Sequence, residues 1–400
     1  MHLVIHTQYY PPEIGAPQAR LSELAQGLVR REHKVTVLTG MPNYPQGRIY
    51  PGYGGLLKKE DLKGVHVIRT AFFPTQKASI VPRLISYFSF VLSSWLIGGW
   101  HLEKPTFIIT ESPPLFLGLS GYLLSRWKRA RWIFNVSDLW PESIVRLGVL
   151  KDGFPLVLSY ALEKFCYKKA WAVSGQSRTI IENIQLRFPY AKTILLSNGV
   201  DINLFGPEKN SIEAQQLMNS ENHITAIYAG LHGLAQGLNQ VLLASETLQD
   251  LRELKIVFVG DGPEKSKLVA KANELSLRNV HFLDPVPKSK IPALLAIADI
   301  CIVPHKTFIP GAVPSKLYEA IATERPVVLV AEGEAAQIVN NSRCGLVVKP
   351  GDIEGLAHAI KYLTLHPEER EKMGRAGRQT ALASYNREDI VESFASFLDG

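Results

Sequence analysis

The sequence predicts an α/β protein made of two doubly wound, Rossmann-like domains in tandem. Three observations carry that expectation. The chain has 400 residues, enough for two large domains. Short runs rich in Val, Ile and Leu alternate with helical stretches along almost its whole length. Those runs are near-continuously apolar instead of alternating, as in parallel strands covered on both faces.

In the first half the expected strands are His2–Thr7, Val35–Thr39, Val65–Thr70, Phe107–Glu111, Trp132–Val136, Ala170–Ser174 and Thr193–Leu196. Helical patterns lie between most of them, among them Ala19–Glu32 and Arg178–Arg187. The second half repeats the rhythm with Ile224–Ala229, Lys255–Val259, Val280–Leu283, Ile300–Val303, Val327–Val330 and Leu346–Val348. Its helical stretches are Leu238–Gln249, Glu264–Leu275, Ile291–Ala296, Lys316–Thr323 and Gly355–Thr364. The join is expected at Ser197–Pro207, where Asn-Gly, Asp and Gly-Pro follow a strand. This gives a first domain over residues 1–200 and a second over 205–384. Two helical stretches, Pro367–Ser384 and Arg387–Leu398, end the chain, and the helix of 387–400 is expected to return to the first domain.

With 46% hydrophobic and 20% charged residues, the composition excludes a disordered chain, a collagen-like repeat and a multi-span membrane protein. Cys166, Cys301 and Cys344 lie far apart without His at ligand spacing, which excludes a disulfide framework and a zinc site and fits a reducing cytoplasm. MHLVIHTQYYPPE lacks a basic stretch followed by an apolar one, so no signal peptide is expected. Residues 1–200 carry 24 Lys/Arg against 12 Asp/Glu, and residues 201–400 carry 20 against 25. Either the first half meets something anionic, or it presents a solvated basic face. No nucleic-acid motif accompanies the charge, so a membrane surface is the expected anionic partner and nucleic acid is not.

Leu84–Leu102 contains no Lys, Arg, Asp or Glu and is long enough to span a bilayer. Its place between two strands of one parallel sheet, and its Ser86, Ser89, Ser93, Ser94, Gly98 and Gly99, argue against spanning. Two readings remain: a buried connecting helix, or an in-plane helix touching lipid through Phe88, Leu92 and Trp95. Arg83, Lys58-Lys59 and the cluster Arg126–Arg131 would meet lipid phosphates.

Ligands of open parallel sheets bind beyond the carboxyl ends of the strands. Tyr9–Ala16 follows the first strand, where Gly15 could turn the chain so that helix amides face a ligand. Asn135–Ser143 sets Asp138 and Glu142 four apart beside Trp140, suited to sugar hydroxyls and a pyranose face, or else to helix capping by Asp138. Tyr228–Gly237 holds Gly230, Gly233 and Gly237, a phosphate-type loop without G-x-G-x-x-G spacing, and Gly260–Pro263 is a similar turn. Val313–Ala320 opens a helix at Pro314 or Ser315, where amides and Lys316 could hold an anion and Glu319 a ribose, or where an amphipathic helix simply begins.

YYPPEIG, SNGVD-x-x-x-F, YAG-x-x-G-x-x-x-G, IVFVGDGP, IPALLAIADICIVP, PSKLYEAIA and PEEREKMGRAGR occur in that order. Together they resemble the family-4 retaining glycosyltransferases of GT-B fold, over essentially the whole chain. DLWPES and PSKLYE resemble the subgroup that builds bacterial O-antigen and exopolysaccharide with fucosamine-type N-acetylamino sugars or fucose. The resemblance implies two Rossmann-like domains facing a cleft, a nucleotide-sugar donor (UDP-linked, or GDP-linked) and a lipid-linked saccharide acceptor. It implies neither metal nor cofactor, and the chain contains no Asp-x-Asp. Donor residues would be Gly15, Gly230, Gly233, Gly260, Val286, Pro314, Ser315, Lys316 and Glu319. Acceptor residues would be Glu13, Asp138, Trp140 and Glu142, with Asp138, Glu142 and Lys316 catalytic. Work at the cytoplasmic face of the cell membrane, without spanning it, is implied too.

Three positions depart from the family pattern. Its loop Arg and Lys are here Leu231 and Gln236, its first Glu is Gly311, and its His before the first-domain Asp is Ser137. Lys316 is the expected substitute for the missing loop charge. A sugar-nucleotide epimerase and a non-catalytic nucleotide-sugar-binding protein stay open as alternatives.

Overall fold

The computed structural model describes residues 1–13, 15–44, 46–75, 80–146, 153–208 and 211–400. They form two compact units, Met1–Ser197 with Val391–Gly400, and Asn198–Ile390. Ile14 of the Tyr9–Gly15 motif lies outside the described residues.

The first unit is built on β1 (His2–His6), β2 (Lys34–Gly40), β3 (Leu57–Leu62), β4 (Val65–Thr70), β5 (Phe107–Ser112), β6 (Arg131–Val136), β7 (Ala172–Gly175) and β8 (Thr193–Leu195). Their order in the sheet is β3-β4-β2-β1-β5-β6-β7-β8. β1 sits centrally, Leu3 opposite Val35 on one side and Phe107 on the other, both parallel. Every residue of β5 is buried, which is why no period-2 alternation marks it in the sequence. β3 was not expected. It is an antiparallel edge strand whose LKKEDL sequence carries too few apolar residues to read as one. The available signal was Lys63-Gly64, a two-residue turn with φ of 53° and 80° that closes the β3–β4 hairpin.

The second unit is built on β9 (Ile224–Ala229), β10 (Leu254–Val259), β11 (Val280–Leu283), β12 (Ile300–Pro304), β13 (Val327–Val330) and β14 (Gly345–Val348). Its order, β11-β10-β9-β12-β13-β14, is that of a dinucleotide-binding sheet, and all its pairings are parallel. In each sheet the winding reverses beside the unit's first strand, between β1 and β5 and between β9 and β12. Loops leaving those neighbours diverge and leave a crevice.

Helices Arg178–Arg187 and Pro367–Ser384 have the expected limits. Helices Leu117–Lys128, Phe154–Lys169 and Glu334–Ser342 were not read from the sequence. The closing helix Arg387–Asp399 passes into the first unit at Val391, whose side chain a Cβ on Gly27 would touch at 3.0 Å. Arg31 donates to Glu392 there at 2.6 Å.

The uncharged segment Leu84–Leu102 runs through helix Ile80–Ser93, which also carries the exposed Arg83, a π turn over Ser94–Gly98 and a last turn Gly99–His101. Its polarity is partly inverted: Phe90 and Val91 are buried in the usual way, but small and polar residues share that inner face. Ser86, Ser94, Gly98 and Gly99 face inward, while Val81, Ile85, Phe88, Leu92, Leu96 and Trp100 are exposed. Ser94 Oγ meets His6 Nε2 at 3.1 Å, and burial pushes the His6 pKa down to about 3, so that imidazole is neutral. A Cβ on Gly98 would reach Leu38 Cδ1 at 2.5 Å, so this helix needs small residues to lie close on the sheet. The π turn takes more residues per turn and keeps Leu96 and Trp100 in line with the exposed stripe. Trp95 corrects the expectation: it is half-buried against the unit's core, and the exposed positions beyond Leu92 are Leu96 and Trp100.

Gly98→Val should therefore cost about 1–3 kcal/mol by overpacking against Leu38. Leu96→Ser, on the exposed face, should stay within about 0.5 kcal/mol of the native protein. Denaturant midpoints of the two variants check the assignment of faces, and equal losses would overturn it.

Candidate functional site

In the first unit the loops beyond β1, β2, β5 and β6 converge at the winding reversal. Glu13 is buried, and its carboxylate accepts from the amides of Tyr10 at 3.1 Å, Asn43 at 2.8 Å and Tyr44 at 2.8 Å, and from Asn43 Nδ2 at 3.1 Å. It braces the β1 loop against the β2 loop instead of facing a ligand. Gly15, with φ of 173°, makes no left-handed turn, which corrects the tight-turn expectation. The end of the Gln18 side chain, whose Oε1 is buried without a hydrogen-bond partner among the described residues, occupies the position a Cβ on Gly15 would take.

Below Asp138 lies a polar network that sequence reasoning missed. Glu111, at the end of β5, is buried and pairs with Arg20 at 2.5 Å. It also accepts from Asn135 Nδ2 at 2.6 Å and from the Ser137 hydroxyl. Arg20 and Gln176 donate to Ser137 Oγ at 2.9 and 2.5 Å, and Ser174 donates to Asn135 Oδ1 at 2.6 Å. A signal existed: Glu111 and Asn135 end two strands that are otherwise largely apolar.

Asp138 stands at the top of this network. It caps no helix and makes no side-chain hydrogen bond or ion pair among the described residues. Desolvation, and then the charge of Glu111, raise its pKa to about 6, with Arg20 opposing. Glu142 is not drawn into the same group. It pairs with Arg146 at 3.0 Å and acts electrostatically on Glu163, so the two carboxylates expected as a pair have different neighbours. Trp140 is half-buried, its ring edge-on to Phe116 at 5.9 Å, and Phe116 contacts Phe88 at 4.9 Å.

In the second unit, glycines let two βα loops touch backbone to backbone. Gly260, with φ of 138°, leaves room for the Gly230 carbonyl, and a Cβ on Gly262 would meet the His232 carbonyl oxygen at 2.5 Å. The His232 amide donates to the Asp261 carbonyl at 2.8 Å, and the Glu264 amide to the His232 carbonyl at 3.0 Å. Gly260 thus packs loop on loop, whereas Gly230, with φ of 149°, makes way for the Lys316 side chain. His232 itself is fully buried beside Tyr228, Phe258 and Phe282, with neither ring nitrogen partnered among the described residues. Burial lowers its pKa to about 4.

Pro314 caps helix Ser315–Ala322 without a side-chain hydrogen bond, leaving its first amides available. Lys316 lies beside Gly230 with Nζ 5.7 Å from the Tyr228 ring centroid. Burial lowers its pKa and Glu319 opposes; burial raises that of Glu319, which Lys316 and then Lys288 oppose. The structure therefore joins Gly230, Lys316 and Glu319 at the β9/β12 reversal. Gly233 carries no positive φ and has Gln236 Oε1 folded against it, and Val286 packs against the unit's core. Of the departing positions, Leu231 is exposed, Gln236 Oε1 is buried without a hydrogen-bond partner among the described residues, and Gly311 has φ of 75°. What the two reversals offer is a desolvated carboxylate in the first unit and, in the second, helix amides with an ammonium suited to an anion.

Asp138 gives a pH prediction. Its folded pKa lies above the ordinary 3.8, so the native state is penalised as pH rises through about 4 to 6, and fully above 6. Asp138→Asn removes the penalty, and its stability relative to the native protein should rise by about 1–3 kcal/mol between about pH 4 and pH 7.5. Denaturant midpoints at the two pH values test this; a difference independent of pH would refute the desolvated carboxylate.

Comparison with known proteins bears on both units. Residues 15–199 match the model of the Glycosyl transferase 4-like domain, and residues 209–380 that of Glycosyl transferases group 1. Over 412 aligned positions, all of both chains, the sequence is 27% identical to the provisionally assigned colanic acid biosynthesis glycosyl transferase WcaI of Escherichia coli (strain K12). Sucrose-phosphate synthase from Thermosynechococcus elongatus superposes with a TM-score of 0.76 at 18% identity, covering 99% of this chain and 98% of that one. Anabaena HepE, solved in complex with UDP and glucose, superposes with a TM-score of 0.72 at 17% identity, covering 100% and 99%. The two matched models between them take in most of the described residues, one on each sheet, and the chain belongs to the two-domain glycosyltransferases of GT-B fold, a 4-like domain followed by a group 1 domain.

Proposed function

We propose that this chain is a retaining, metal-independent hexosyltransferase of bacterial surface polysaccharide synthesis. It moves a sugar, an N-acetylated amino sugar or a deoxysugar, from a UDP-linked donor to a lipid-linked saccharide, with no cofactor beyond the donor. The observation that carries the reading is the group formed by Gly230, Lys316 and the free amides of helix Ser315–Ala322. In it a glycine loop, a helix N-terminus and a single ammonium meet at a winding reversal. As the glycosidic bond breaks, charge develops on the departing diphosphate, and donors already fixed in place stabilise it at little cost of reorganisation. Glu319, one turn on, takes the ribose hydroxyls. HepE in complex with UDP-glucose supports the nucleotide, and the colanic acid assignment of WcaI supports the polysaccharide.

The acceptor belongs to the first unit, with Asp138 facing its hydroxyls, Trp140 packing on a ring and Glu142 at the rim. Glu13 and Gly15 serve by shaping the loops. The exposed stripe from Val81 to Trp100 supports a lipid-linked acceptor met at the cytoplasmic face of the membrane. Leu123 and Trp127 on the neighbouring helix Leu117–Lys128 are exposed as well, as are Phe154, Val157 and Leu158 on helix Phe154–Lys169. An apolar area of that extent is rare on a protein that stays in water.

Thermal shifts with UDP-, GDP-, dTDP- and ADP-sugars identify the donor, and nucleotide release is then followed with and without membrane extract. Acceptor-dependent release supports the reading. Conversion of the donor without acceptor would make the chain an epimerase, and tight binding without turnover a binding protein. Lys316→Ala should bind nucleotide more weakly and lower kcat by on the order of 10²-fold. Turnover at the native rate would remove Lys316 from the chemistry.

A further inference from the structure

We propose that the first unit carries a binding site for the headgroup of an anionic phospholipid, at the end of its sheet remote from Asp138. The proposal rests on the membrane reading above and adds to it a defined headgroup pocket. An open cavity of about 500 Å³ lies at the N-terminal ends of β5 and β6. Lys104, Arg129 and Arg131 line it, and Asp399 is its single acidic lining residue. Neither Lys104 nor Arg129 has a carboxylate partner among the described residues. The Arg131 guanidinium lies 5.7 Å from the Phe107 ring centroid and 5.2 Å from that of Trp171, contacts that hold it without neutralising it.

The cavity adjoins the exposed apolar stripe through the chain itself. Trp100 precedes the loop that contributes Lys104, and Trp127 precedes Arg129. The two indole rings are 6.5 Å apart, and Trp100 is 77% exposed. Lys128 ties the two helix ends together, donating to the Leu102 carbonyl at 2.7 Å with its ammonium 4.9 Å from the Trp127 ring centroid. Exposed indoles beside unpartnered basic side chains, next to an uncharged helix face, are the chemistry of a lipid–water interface: rings at headgroup depth, cations on phosphates, aliphatic side chains among acyl chains. A nucleotide fits less well, because the cavity offers neither the glycine loops nor the free helix amides described above, which belong to the second unit. The same surface runs from the cavity along the stripe to Phe88 and Phe116, beside Trp140. An anionic lipid held at the cavity would orient the unit on the bilayer with its acceptor loops at the membrane surface.

The test is flotation of the full chain with phosphatidylcholine vesicles, with and without phosphatidylglycerol, at one ionic strength. The native protein should prefer phosphatidylglycerol vesicles, and Lys104→Gln/Arg129→Gln should reduce that preference by about tenfold or more, given what each basic group gains near an anionic surface. Its melting temperature and its binding to phosphatidylcholine alone should be unchanged. Lys267→Gln/Lys271→Gln, the same loss of charge placed on the second unit, should keep the preference. An unaltered preference in the first variant, or an equal loss in the second, overturns the headgroup pocket. So does displacement from vesicles by inorganic phosphate at matched ionic strength, which would mark a free-ion site. Native protein that floats equally with both vesicles overturns the pocket and leaves the membrane reading standing; protein that floats with neither overturns both.

Discussion

Covering both faces of a parallel sheet is the constraint on which the rest of this molecule depends. Strands such as β5, β10 and β13 are buried at every position, so side chains on either face belong to a core. Polar chemistry is left to the strand ends. In the first unit His6, Glu111, Asn135 and Ser174 stand at or next to the last residues of their strands, and in the second Gly230, Gly260 and His305 directly follow theirs. Because the winding reverses at β1/β5 and at β9/β12, the loops carrying these residues diverge and can surround a ligand. The location of each site is thus a property of the sheet before it is a property of any residue.

The two reversals are furnished differently. The first holds a buried ion pair, Arg20–Glu111, which is tolerable because Asn135 satisfies Oε2 of Glu111 and Ser137 adds a second hydrogen bond to Oε1. Ser137 stands where the related pattern has a histidine. Its small hydroxyl serves Arg20, Glu111 and Gln176 at once, and Asp138 is left above it without a side-chain hydrogen bond among the described residues. The second reversal holds almost no fixed acid–base chemistry. It offers backbone amides and the Lys316 ammonium, which lies against Gly230, while Leu231 and Gln236 carry no charge. A site of that kind suits a ligand that brings its own negative charge.

The uncharged helix reverses the usual relation between polarity and burial. Serine and glycine face the sheet beside the buried Phe90 and Val91 because the helix must approach closely, and Val81, Ile85, Phe88, Leu92, Leu96 and Trp100 are left outside. Burying such side chains is worth about 25 cal/mol per Å² of apolar surface, so leaving this stripe in water forfeits stabilisation that a bilayer would restore. The basic cavity at the tryptophan end and the aromatic group at the other give the stripe two distinct ends.

The sequence by itself determined two parallel-sheet units, the strands of their cores, and the loops in which Gly230, Lys316, Glu319 and Asp138 stand, because apolar runs and glycine-rich turns are local signals. It did not reveal β3, whose LKKEDL residues are those of a solvent-facing edge, nor which face of the uncharged helix would be buried. It could not show that Glu13 would be used up on backbone amides, or that Glu142 would pair with Arg146 apart from Asp138. Nor did it join Arg20 to Glu111 across 91 positions. These were decided by the tertiary structure, because they depend on which strand ends become neighbours and on how closely backbones approach, and a pattern along one chain does not carry distances between residues far apart in it.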